Sequence, residues 1–227
     1  MTFIESRKLE NGLSRPFFIV TEGMSDARLM DKLLLHKGFT DCGVGCPSDE
    51  GCKGTGKDAF PMYFPVIQLA RGRATSVPFA GLLVLADADD NAAKTFSDVQ
   101  TALKDSGFPV PDAPFKVDRS SAVKVGVFLM PGIGRTGTVE HLFLDAALEK
   151  NPKLAQCLDE FSACTGALRS AKPNQLAKMK MSALSAAFCE DNPWASGNGM
   201  LTDRNCPVPI DSKHFHPLLA FVEEFRR

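Results

Sequence analysis

Tryptophan and tyrosine occur once each, as Trp194 and Tyr63, so an aromatic stacking platform for single-stranded nucleic acid has little support. Neither sign of charge is in excess: 26 Lys and Arg face 27 Asp and Glu, for a formal net charge of −1. That balance argues against a generally polybasic binder, though not against a local basic groove. Long hydrophobic runs are missing. The longest, Val77 to Ala86, is about half a membrane span. Met1 to Arg15 carries charges throughout and has none of the apolar stretch that a secretion signal needs. Seven cysteines is an odd number, and without such a signal a disulfide framework has little support. No internal repeat or low-complexity tract is present. The expectation is a soluble, reduced, cytoplasmic protein with no membrane partner.

What is present is enough apolar residue for a sizeable core: 44% of 227 residues are hydrophobic. Three short apolar runs stand out: Phe17–Val20, Leu82–Ala86 and Val125–Met130. Each is continuous rather than alternating, as in strands buried on both faces of a parallel sheet. Each is followed by helical spacing. Ala27, Met30, Leu33, Leu34 and Lys37 share one face, closed by Gly38. Ala92, Phe96, Val99 and Leu103 form a second stripe before Gly107, and Val139, Leu142, Phe143, Ala146 and Ala147 a third. Strand alternating with helix predicts an α/β fold with a mostly parallel sheet flanked by helices. Asp41 to Lys57 reads as loop, Tyr63 to Arg73 as helix from Pro65 onward, and Asn192 to Pro209 as a long surface loop. Beyond Asn151 the pattern is mainly helical, and the last helix, Leu218 to Phe225, is expected to pack back on the sheet. One domain, 1–227, is expected, with a core over about 16–150 and a helical C-terminal extension over about 151–227.

Ligands of open α/β sheets sit at the carboxyl ends of the strands. The first run ends in Thr21-Glu22-Gly23-Met24-Ser25-Asp26, the second in Asp87-Ala88-Asp89-Asp90-Asn91, and the third leads through a glycine-rich loop to Glu140. Any one of these acids alone reads as a cap or a solvated loop residue. Together they predict one acidic edge, with the hard oxygen donors that Mg²⁺ or Mn²⁺ prefers. Such an edge suits phosphodiester cleavage, which needs charge neutralised at a pentavalent phosphorus. Lys57, in Gly54-Thr55-Gly56-Lys57, offers a cation to the leaving or bridging oxygen; the alternative is a solvated loop lysine.

Phe-Phe-Ile-Val-Thr-Glu-Gly (17–23) with Asp26 resembles the first motif of the Toprim domain, and Leu-Val-Leu-Ala-Asp-Ala-Asp-Asp-Asn (83–91) resembles its DxD motif. Val127–Pro131 with Gly137-Thr138-Val139-Glu140-His141-Leu142, and Asp211-Ser212-Lys213-His214-Phe215 before a final helix, are similar to small stand-alone Toprim-like proteins related to OLD nucleases. The resemblance spans most of 16–225 and implies a Toprim-like Rossmannoid fold. It implies Glu22 as the acid that binds metal or relays protons, Asp87 and Asp89 as metal ligands, and Glu140 as an additional acid. Asp26 and Asp90 would stand behind them. After Met-Pro this chain has Gly132-Ile133-Gly134, where the family pattern has an acidic or amide residue. The implied function is a Mg²⁺- or Mn²⁺-dependent phosphodiesterase, a nuclease acting on DNA or RNA. The alternative is a non-catalytic Toprim module that binds nucleic acid or a partner ATPase.

Other motifs carry rival readings. Gly51 to Lys57 matches a Walker A loop up to Asp58, which replaces its Ser or Thr, and no apolar run leads in. Gly132-Ile-Gly-Arg-Thr-Gly137 is a formal dinucleotide fingerprint, but Pro131 intervenes and no acid ends a following strand. Cys42, Cys46 and Cys52 beside His36 lack a second zinc knuckle and read as buried or loop thiols. Cys157, Cys164 and Cys189 are expected in the core. His214 and His216 read as capping or packing, and Arg169, Lys172, Lys178 and Lys180 as a solvated helical face.

Overall fold

The three apolar runs form strands that bury almost every residue: β1 (Phe17–Val20), β3 (Gly81–Asp87) and β5 (Lys124–Met130). The computed structural model describes residues 9–54, 56–73, 78–190, 193, 200–201 and 206–227; Trp194 and most of the loop expected over Asn192 to Pro209 lie outside these. Two further strands, β2 (Cys42–Gly45) and β4 (Val117–Asp118), complete a five-stranded sheet in the order β2-β1-β3-β5-β4. The first four strands are parallel, and the short edge strand β4 runs antiparallel to β5. The fold is thus α/β with a mostly parallel sheet flanked by helices. The strand order reverses beside β1, so the crevice between β1 and β3 opens at their carboxyl ends.

Successive strand residues point to opposite faces and feed two cores. Ile19, Leu83, Leu85, Phe128 and Met130 pack against helices α2 (Met24–Lys37), α5 (Val139–Lys150) and α9 (His216–Arg226). Phe18, Val20, Leu82, Val84 and Leu129 pack against α3 (Phe60–Arg73) and α4 (Ala92–Asp105). Helix α9 returns to the sheet as expected, with Phe225 edge-on to Phe17 at 5.5 Å between ring centroids and Phe221 5.8 Å from Phe128. The remaining helices are α1 (Leu9–Gly12), α6 (Lys153–Cys164), α7 (Ala167–Ser170) and α8 (Pro173–Phe188).

Three expectations are corrected. The segment from Asp41 to Lys57 is not all loop: Cys42–Gly45 is strand β2, hidden because two of its four residues are glycine. Helix α3 begins at Phe60 and carries Pro65 within it, since the buried face of Phe60, Tyr63, Phe64 and Ile67 outweighs the break that proline favours. Cys157 and Cys164 are exposed, because Leu158 takes the buried stripe of α6; Cys189 is buried as expected.

Gly43 in β2 is needed for close approach. A Cβ there would lie 2.3 Å from the Gly12 carbonyl oxygen, which is backbone and cannot swing aside. Gly43→Ala is expected to cost about 1–3 kcal/mol, as overpacking does. A thermal midpoint lowered by about 2–4 °C per kcal/mol would register it.

Candidate acidic site at the strand ends

The chain leaves β1 through Thr21, whose buried hydroxyl donates to the Gly23 carbonyl at 3.0 Å and shapes the turn that carries Glu22. One Glu22 oxygen, Oε1, accepts the Asp87 N–H at 2.9 Å, tying the ends of β1 and β3 together. Lys57 acts on this carboxylate as well, favouring its ionised form. A Cβ on Gly56 would come within 2.8 Å of Glu22 Oε2, so the loop before α3 lies directly on the acid. Burial, partly opposed by the bond from Asp87 N–H and reinforced by the Asp89 charge, pushes the Glu22 carboxyl up to about 6.

Asp87 ends β3 and accepts the Val139 N–H at 2.9 Å through Oδ1, so its carboxylate stands at the N-terminus of α5, where the helix dipole favours an anion. Even so, burial first, and then the charges of Glu22, Asp26 and Glu140, raise this carboxyl well above its ordinary range. Asp26, in the first turn of α2, is buried as well. Burial and the charges of Glu22 and Glu140 push it up to about 7, against a small lowering by Lys178 of α8. Glu140 accepts a hydrogen bond from the buried Thr138 hydroxyl at 2.6 Å. Four carboxyl groups from β1, α2, β3 and α5 therefore repel one another through a mostly dry environment.

The two acids of the Asp87-Ala-Asp89 run part company. Asp89 adopts a left-handed backbone, φ 52°, rare outside glycine. Its N–H and carbonyl bond Gly137 at 2.8 and 2.7 Å, clasping the β5–α5 loop, while its carboxylate pairs with Lys57 Nζ at 2.5 Å. Lys57 Nζ also donates to Thr95 Oγ1 at 2.8 Å. Burial works against the charge on Lys57, but the contact with Asp89 and the charges of Glu22 and Asp98 outweigh it, so the ammonium is held protonated. Of the expected site residues, Glu22, Asp87 and Glu140 share one cluster, and Asp89 with Lys57 forms an ion pair on its flank. Asp90 lies outside both as an exposed or half-exposed turn residue before the Asn91 cap of α4. Asp26 belongs to the cluster itself rather than behind it. Its position one turn beyond Glu22, at a helix start, was the available signal.

Hard oxygen donors at mutual repulsion fit a divalent cation. Among the described residues no three His, Cys, Asp or Glu side chains form a ready-made cage. Mg²⁺ does not need one, since it keeps several waters and takes one or two carboxylates plus phosphate oxygens.

The rival motifs are spent on this site. Strand β2 ends at Gly45 and the 3-10 turn Pro47–Glu50 separates it from Gly51 to Lys57, so no strand leads directly into that loop, and the Lys57 side chain is engaged by Asp89 and Thr95. The Val139 N–H that a pyrophosphate would seek after Gly132 to Gly137 is given to Asp87. His214 lies beside Glu149, which accepts the hydroxyl of Ser212, and Ser212 caps the turn by accepting the His214 N–H. Lys180 pairs with Asp159 on the surface.

A family model described as protein of unknown function (DUF3226) matches residues 16–202. No curated protein and no solved structure matches the chain. No helix among the described residues is long and apolar enough to cross a membrane.

Proposed function

For this chain, which belongs to the DUF3226 family, we propose a divalent-metal-dependent phosphodiesterase that cleaves nucleic acid in the cytoplasm, as its resemblance to Toprim-like nucleases implies. The observation that carries the reading is the set of Glu22, Asp26 and Asp87, all raised first by burial, with the charge of half-buried Glu140 acting on the two aspartates, beside the strand-order reversal. Like charges gathered out of water are costly unless a cation or protons neutralise them. Glu22 and Asp87 would hold Mg²⁺ or Mn²⁺, with Asp89 joining them on release from Lys57. The ion supplies charge neutralisation at phosphorus and a more acidic water. Glu22 would bind the ion or relay the proton of the attacking water. Lys57, held protonated beside Asp89, would donate toward the leaving oxygen.

A second reading, a non-cleaving Toprim module that binds nucleic acid or a partner ATPase, is favoured by one observation: Asp89 is already neutralised by Lys57. Calorimetric titration with Mn²⁺ and Mg²⁺, beside a cleavage screen on DNA and RNA, separates them. The nuclease reading expects wild-type binding that vanishes in Asp87→Ala/Asp89→Ala, together with cleavage that depends on the ion. Binding without cleavage by any preparation would favour the module.

A further inference from the structure

A cavity of about 460 Å³ opens along the β5–α5 loop, lined there by Gly132, Gly134, Arg135 and Thr136 just before the Gly137 that Asp89 clasps, a volume in the range of small-ligand sites. Its floor is apolar: Phe96 of α4, Leu129 at the end of β5, and Phe115. Its wall is backbone, at Gly132 and Gly134, where a Cβ would meet nothing within 4 Å. Arg135 and Asp112 add exposed charge of both signs to the lining.

Phe115 itself is held in the left-handed region, φ 61°, by its N–H bond to Val127 and an edge-on contact with Phe128 at 5.0 Å. For a bulky residue this conformation is an outlier that the surroundings must impose. Among the described residues only Phe115 and Asp89 are non-glycine residues with positive φ. Phe115 lines the cavity, and Asp89 bridges Gly137, the residue after Thr136 of the cavity lining.

We propose that this cavity receives one base of the polynucleotide substrate, with the neighbouring phosphate directed to the acidic edge. This rests on the nuclease reading above. An apolar cavity lined by the aromatic carbon of Phe96 and Phe115 and by the bare peptide of Gly132 and Gly134 suits the face of a base. The Asp112 carboxylate suits an exocyclic amine, as acids do when they read cytosine. Arg135, now paired with Asp145 at 2.7 Å in a half-exposed bridge, can exchange that partner for a phosphate at little cost. A base drawn out of its stack into such a slot also fixes the adjoining phosphodiester in register.

The test is titration of the full-length protein, in EDTA, with the four deoxynucleoside 5′-monophosphates by NMR and calorimetry. Backbone amides of Gly132, Gly134 and Arg135 are expected to shift, with dissociation constants of about 5 mM or below. Ala93→Trp, which fills the slot from the exposed first turn of α4, should weaken binding about tenfold or more. Thr136→Trp serves as a second filling variant should the first fail to fold. Glu149→Gln, whose carboxylate is engaged by Ser212 and Lys213 away from both places, should bind as the wild type does. The proposal is overturned by absence of binding, by shifts confined to other surfaces, or by filled variants that bind unchanged. Because no metal is present, nucleotide binding here alongside failed ion binding at Asp87 would sink the nuclease reading and leave the base slot standing.

Discussion

Asp26→Asn raises the thermal midpoint of the metal-free protein by about 5 °C or more near pH 8 and changes it little near pH 4. Asp26 is buried, and its carboxyl is pushed from 3.8 to about 7 by desolvation and by the charges of Glu22 and Glu140. The folded chain therefore holds a proton that the unfolded chain gives up. Stability associated with this group is complete below about pH 4 and is lost as pH rises through about 7. Above that, the ionised group costs up to about 4 kcal/mol, a bound lowered in practice because one proton relieves several neighbours at once. Asparagine keeps the size, removes the charge, and so removes the loss. Mn²⁺ at about a hundred times its dissociation constant should raise the wild-type midpoint at pH 8 by a similar amount. Melting curves in EDTA at the two pH values decide it. A gain equal at both, or none at pH 8, would mean that the carboxyl group is not repelled.

That trade-off explains which parts of the molecule were readable in the sequence. Strands β1, β3 and β5 were legible because burial on both faces demands unbroken apolar runs, and the acids directly after them were legible because topology alone carries strand ends to one edge. Strand β2 was not, since Cys42-Gly43-Val44-Gly45 was shaped by what lies against it: the backbone of Gly12 leaves no room for a side chain at Gly43. The exposed cysteines of α6 were misjudged because a helical stripe does not say which of its edges faces the core. At the site, sequence spacing treated Asp87 and Asp89 as a pair. The left-handed turn at Asp89 sends them to different partners, Val139 and Lys57, and no local pattern announces such a turn. Asp26 was underrated for a related reason. Its carboxyl is raised first by burial, then by Glu22 and by Glu140, more than a hundred positions away, and neither burial nor a distant charge leaves a periodicity to read.

Asp87→Asn is expected to lower ion-dependent cleavage by about 10³-fold or more while leaving the fold intact. The asparagine carbonyl can still accept the Val139 N–H, so the start of α5 keeps its cap and only the charge is removed. Asp87→Ala removes both, and should lose about 1 kcal/mol of stability relative to the asparagine variant. Since burial, and after it the charges of Glu22, Asp26 and Glu140, all disfavour the ionised Asp87 carboxyl, the asparagine protein should be more stable than wild type in EDTA near pH 8. It should at the same time lose the stabilisation that Mn²⁺ gives. A distant control is Glu149→Gln, whose carboxylate is engaged by Ser212 and Lys213, and which should cleave at the wild-type rate. Gain of stability with loss of activity is the pattern of a group retained for chemistry against its cost to the fold. An Asp87→Asn protein that cleaves within about threefold of wild type would remove Asp87 from the reaction, because no other residue at the end of β3 stands in the cluster to replace it.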